Sequence, residues 1–232
     1  MYNVRLTLLS SKNNQKAEMN ERLSILVLGI LGVFATSTVV LAPAIASTVE
    51  DFLNIINAEV KIKNNDKLDA KIEAEADIPE DGSGGAAGYG ILTAEDALIV
   101  STTHGGVYDS QEQDDADDPV WHNHLVTLNT ESEECGDDPQ VNEITFESPG
   151  KVNINGERAQ LKNVPTEGFE ATNVDRPAFD EDDIELGDEI TLEPGTDVQD
   201  VVSFVLEPQS DGDVIEAVCV TNIQSAGNVD IK

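Results

Sequence analysis

The sequence predicts an all-β protein, an antiparallel β-sandwich or open barrel, led by an N-terminal signal helix and one short helix after it. Three observations carry that prediction. Apolar residues recur in short runs with a period of two, turn-forming residues punctuate them regularly, and helical periodicity is scarce.

The leader comes first. Lys12, Lys16 and Arg22 precede a run from Leu23 to Ala42 without a charged residue, and Ala44-Ile45-Ala46 supplies a small-x-small cleavage pattern. A basic flank, an apolar segment and that pattern make residues 1–46 a secretory signal peptide. Met19 offers an alternative start, and an uncleaved anchor is the alternative fate of the run, since about 20 apolar residues can span a bilayer. The expected location is secreted or cell-surface.

Residues 47–88 read as an N-terminal extension of short helix, hairpin and Gly-rich connector. Val49, Phe52, Leu53 and Ile56 share one helical face within Ser47–Asn57. Ile56, Ala58, Val60 and Ile62, then Leu68, Ala70, Ile72, Ala74, Ala76 and Ile78, alternate with polar residues on either side of Asn64-Asn65-Asp66, as two strands joined by a turn do. Gly82 to Gly88 reads as a flexible connector or wide turn.

Residues 89–232 form the predicted β-sandwich domain. Its strands are Ala97–His104, Val120–Leu128, Val141–Phe146, Lys151–Asn155, Ala159–Val164, Val201–Leu206 and Val214–Ile223. Asn155-Gly156 marks a hairpin between two of them. The acidic stretch Thr166–Gly187 reads as a loop.

Charge narrows the function. With 46 Asp and Glu against 13 Lys and Arg, the chain carries −33 at neutral pH. A nucleic-acid partner is excluded in practice, because phosphate binding needs clustered Lys and Arg. No membrane contact beyond the signal segment is expected, because anionic headgroups repel such a surface. Envelope or protein partners remain open. Acidic runs at Asp114–Asp118, Glu133–Asp138 and Asp180–Asp183 admit calcium, but none has the spacing of an EF-hand loop. Cys135 and Cys219, an even pair in the exported part, read as one disulfide.

One constellation carries possible chemistry. In Trp121-His122-Asn123-His124 two imidazoles stand one residue apart, and on a strand such side chains share a face. His104 ends the preceding strand and would lie opposite them if the two strands pair. Three His with an open fourth position is a known zinc arrangement, and imidazole also suits copper. Asp109, or a carboxylate from Asp114 to Asp118, is the expected additional ligand or support. On the bland alternative, Trp121 and Leu125 are core and the histidines face solvent.

Leu68 to Ala74, Ile78-Pro79, the Gly84–Tyr89 segment and His104-Gly105-Gly106 follow one another in an order similar to chordin-type repeat domains, extracellular β-domains with a His-x-His-x-Gly core. The similarity spans residues 68 to 128, with Thr102 where the first His belongs and no counterpart for His122 and His124. It implies a secreted β-domain. The sequence carries no G-x-S-x-G, H-E-x-x-H or P-loop motif. The expected function is therefore binding or an envelope role, with a metal-dependent hydrolytic or redox enzyme, or a subunit of an extracellular assembly, as alternatives.

Overall fold

The computed structural model describes residues 51–63, 67–93, 97–165, 169–176, 185–192, 197–211 and 214–232. The expected signal helix at 1–46 and the acidic run at 180–183 lie outside them. Among the described residues no helix is long and apolar enough to cross a membrane.

The all-β expectation holds, and the architecture is a closed barrel together with an open sheet. β3 (Ala87–Thr93), β4 (Ala97–Thr103), β5 (His122–Asn129), β6 (Gln140–Ile144), β11 (Val198–Asp211) and β12 (Val214–Ser225) close a six-stranded antiparallel barrel. β1 (Ile55–Lys63), β2 (Lys67–Ala74), β7 (Lys151–Asn155), β8 (Arg158–Pro165) and β13 (Val229–Ile231) form a five-stranded sheet in the order β13-β1-β2-β8-β7. β13 runs parallel to β1, and the other pairings in this sheet are antiparallel.

Alternation explains both layers. Leu68, Ala70, Ile72 and Ala74 of β2 point inward, while Lys67, Asp69, Lys71 and Glu73 point outward. They share one core with Ala87, Tyr89, Ile91, Ile99 and Leu125, so the five-stranded sheet packs on the outside of β3, β4 and β5. The opposite faces of these strands look into the barrel, where Val100, Val126, Val202, Phe204 and Val220 cluster. Both faces of β5 are thus covered, and its histidines are buried rather than solvent-facing.

The short helix expected over Ser47–Asn57 is corrected within the described residues to a 3-10 turn at Asp51–Leu53, with Ile55 already beginning β1, and residues 47–50 lie outside them. Phe52 and Leu53 are buried, whereas Ile56, expected on the same face, is 63% exposed, and two hydroxyls hold the turn. Tyr89 Oη donates to the Phe52 carbonyl and Ser203 Oγ to the Leu53 carbonyl. The loop expected over Thr166–Gly187 is corrected as well. β9 (Phe169–Arg176) and β10 (Glu185–Leu192) pair there as an antiparallel ribbon.

Hairpin geometry at Asn155-Gly156 is as expected. Asn155 pairs with Arg158, and Gly156 takes φ +57° at the first of two turn residues, a position that favours glycine.

Barrel closure depends on a thin seam. Among the described residues β12 meets β6 through one residue pair, Cys219 with Gln140, supported by Val220 N donating to Pro139 O at 2.8 Å. Cys219 is disulfide-bonded to Cys135, 84 residues earlier, at that same point. The expected bridge is therefore present, and it fastens the barrel where backbone pairing is weakest.

All six barrel strands line a cavity of about 300 Å³ that opens to solvent at one rim. The β4–β5 connection, through His104, Gly105, Val107 and Asp109, covers one part of it.

Candidate metal centre

The register of β4 on β5 assembles the site. Val100 lies opposite His124 and Thr102 opposite His122, so both imidazoles share the barrel-facing side with those two residues. His104 follows the last residue of β4 and meets them from the neighbouring strand. Asp109 comes from the connection between the strands.

These four side chains converge. Ligand atoms from His104, Asp109, His122 and His124 lie within 4.8 Å of one another, and all four residues are buried. His104 Nε2 stands 3.2 Å from His122 Nε2 and 3.2 Å from Asp109 Oδ2. Asp109 Oδ1 stands 3.5 Å from His122 Nε2 and 3.8 Å from His124 Nε2. A tetrahedron of ligands with zinc bond lengths has edges of about 3.3 Å, close to these separations.

Backbone carbonyls set the tautomers. His122 Nδ1 donates to Val120 O at 2.8 Å and His124 Nδ1 to Thr145 O at 2.7 Å, because a carbonyl can only accept. In the neutral ring each Nε2 then presents a lone pair to the cluster, because the carbonyl on the other ring nitrogen fixes the ring, as is usual for histidine ligands. His124 Nε2 and Asp109 Oδ1 are buried with no hydrogen-bond partner. Two facing acceptors without a donor between them are costly in an apolar interior unless a cation or a proton joins them.

Charge distribution agrees. Burial opposes the His104 cation, but the Asp109 carboxylate beside it outweighs burial and raises the imidazole above its ordinary value. Burial pushes His124 down to about 3, although Asp109 works against it. Asp109 resists the rise that burial alone would cause, and His104 and His124 hold it well below the usual carboxylate range. Without an ion, these shifts favour an ionised Asp109 carboxylate beside a His104 imidazolium and a neutral His124.

Gln113 is the residue that sequence reasoning missed. Its Oε1 accepts from Asp109 N at 3.0 Å and Ser110 N at 3.1 Å, and its Nε2 donates to Val107 O at 3.1 Å and Asp118 O at 3.3 Å. One buried amide thus ties four backbone groups of the connection and turns Asp109 inward. The only signal for it was an uncharged residue in an acidic run. The carboxylates of Asp114–Asp118 do not join the cluster. Asp118 accepts from Asp114 N and Val120 N, and Asp115 accepts from Asp117 N, so these serve the turns of the loop. Glu133, Glu134, Asp137 and Asp138 are exposed on a separate turn and contribute nothing to it.

No family model, curated protein or solved structure matches the chain, so the chordin-type likeness gains no support. What the molecule itself defines is an all-β protein with a disulfide and a buried His/Asp cluster able to hold a metal ion. The disulfide fits a non-reducing setting.

Proposed function

We propose that this is an exported, acidic β-domain that binds a divalent transition ion through His104, His122, His124 and Asp109, and that it acts by binding, outside the cell or at its surface. One observation carries the reading: His124 Nε2 and Asp109 Oδ1 face each other at 3.8 Å, buried, without a donor. Three imidazoles with one carboxylate favour zinc, which takes tetrahedral nitrogen and oxygen sets readily. Copper offered in competition binds more tightly by the general order of affinities.

Binding is favoured over catalysis by what surrounds the cluster. A general base is needed besides the ligands, and the remaining polar side chain that lines the cavity is Thr102. The leader pattern and the acidic composition support export, and an envelope partner would meet a strongly negative surface.

Elemental analysis of the purified protein after exposure to Zn²⁺ and dialysis tests the reading, with His122→Ala as control. The expected result is about one equivalent of zinc in the native chain and a loss of most of it in the variant. Uptake below about a tenth of an equivalent overturns it.

A further inference from the structure

The barrel cavity and the metal centre are one continuous feature. His104 and Asp109 belong to the cluster and also line the cavity. They are the ligands with residual exposure, 8% and 6%, whereas His122 and His124 are at 1% and 0%. The cluster thus presents His104 and Asp109, and neither His122 nor His124, to the cavity.

The rest of the lining is apolar. Leu98, Val126, Leu128, Val202, Phe204 and Leu206 are representative, and among the described lining residues the polar side chains are Thr102, His104 and Asp109. Ile223, 46% exposed, marks the rim. At about 300 Å³, the space is twice that of a cavity that holds benzene, which suits a molecule of about a dozen non-hydrogen atoms.

Charge decides the head of that molecule. A divalent ion on three neutral imidazoles and one carboxylate keeps one uncompensated positive charge, and low-dielectric surroundings penalise it. An anionic head satisfies it by entering as a fifth ligand, the expansion from four to five ligands that zinc makes at sites left open to solvent or substrate.

We propose that the barrel is a ligand pocket for a small apolar monocarboxylate, whose tail fills the cavity and whose carboxylate reaches the ion held by His104, Asp109, His122 and His124. This rests on the metal reading above. The acidic exterior repels such an anion at low salt, and screening removes that barrier. The pocket is therefore one that fills at saline ionic strength.

The test is calorimetric titration of decanoate into the whole protein in high salt, metal-loaded and chelated, with decanol and decylamine as head-group controls. Decanoate should bind the metal-loaded protein at least tenfold more tightly than the chelated protein and tenfold more tightly than either control. It should also change the visible spectrum of Co²⁺-substituted protein. Val220→Phe, which fills the cavity from β12, should retain metal and lose decanoate binding at least tenfold. Leu128→Phe serves the same purpose from β5 should the first variant not fold.

Metal-loaded protein that ignores decanoate, or binds decanol equally well, overturns the pocket and leaves the metal reading intact. A chain that takes up no metal fails earlier, in the elemental assay, and overturns both.

Discussion

His124 is held by Thr145: its Nδ1 donates to the Thr145 carbonyl at 2.7 Å, and that bond directs the Nε2 lone pair into the cluster. Thr145 is itself fixed, because its Oγ1 accepts from Leu125 N at 3.0 Å and donates to Glu147 O at 3.0 Å. Replacing Thr145 by Val keeps the shape and leaves both of those groups without their partner. The carbonyl that orients His124 then loosens. Thr145→Val should weaken zinc about tenfold, in the range for outer-shell changes, and lower stability by about 1–3 kcal/mol through the buried amide left unpaired. Competition against a chromophoric chelator and urea unfolding check the two effects separately.

Acid should destabilise the metal-free protein before it affects most of its carboxylates. Burial holds the folded His124 near 3, while the unfolded imidazole titrates near its ordinary 6.5. Between those values the unfolded chain takes a proton that the folded chain refuses, so stability falls as pH drops from about 6.5 toward about 3, by at most about 1.4 kcal/mol per pH unit. His104, raised by Asp109, stays protonated in both states below its unfolded value, so its contribution is lost only as pH rises through its folded value. Asp109, held low, adds to the loss only as pH falls below 3.8. Melting temperatures of chelated protein should decline from pH 6.5 to 4.5, and His124→Asn should flatten that decline. An unchanged slope in the variant would assign the acid sensitivity elsewhere.

Much of this arrangement was legible in the sequence, and the failures share a cause. His122 and His124 could be placed on one face because strand alternation is local, and His104 followed from pairing of consecutive strands. β3 was missed because Gly88 and Gly90 resemble connector residues. A Cβ at Gly88 would sit 2.4 Å from Ser101 O and 2.9 Å from Phe204 Cζ, so this glycine serves close packing inside a strand rather than chain flexibility. Acidic composition likewise concealed β9 and β10. Closure of the barrel joins β3 to β11 across most of the domain, and no local pattern encodes such a pairing. Gln113 was invisible because its function lies in backbone bonds of an irregular loop.

Reduction should open the barrel at one place. With one pair joining β12 to β6, the Cys135–Cys219 bond supplies most of the constraint there. Cross-linking across that sequence separation stabilises by about 4–5 kcal/mol in the chain-entropy model. Cys135→Ser with Cys219→Ser should lower unfolding free energy by an amount of that order. Hydrogen exchange should accelerate first at Val220, whose amide bonds Pro139 O across the seam, while Ile72 and Val60 in the five-stranded sheet remain protected. Uniform acceleration in both sheets would show that the bond stabilises the whole fold rather than the seam.

Gln113 separates positioning from ligation. Its four hydrogen bonds all go to backbone, and its amide holds Asp109 and Ser110 from one side and Val107 and Asp118 from the other. Gln113→Ala removes all four bonds, and Asp109 loses the loop shape that carries it into the barrel. His122 and His124, built on β5, stay in place, and His104 stays anchored by the adjoining end of β4. Zinc should therefore still bind, about 10–100-fold more weakly, in the range for loss of an outer support, whereas His122→Ala removes a ligand and most of the binding. Gln113→Glu distinguishes the donor from the acceptor: an ionised carboxylate still accepts from Asp109 N and Ser110 N but can no longer donate to Val107 O and Asp118 O. It should fall between the native chain and the alanine variant in affinity. Equal affinities for all three chains, read by chelator competition at one pH, would show that Asp109 reaches the cluster without this amide.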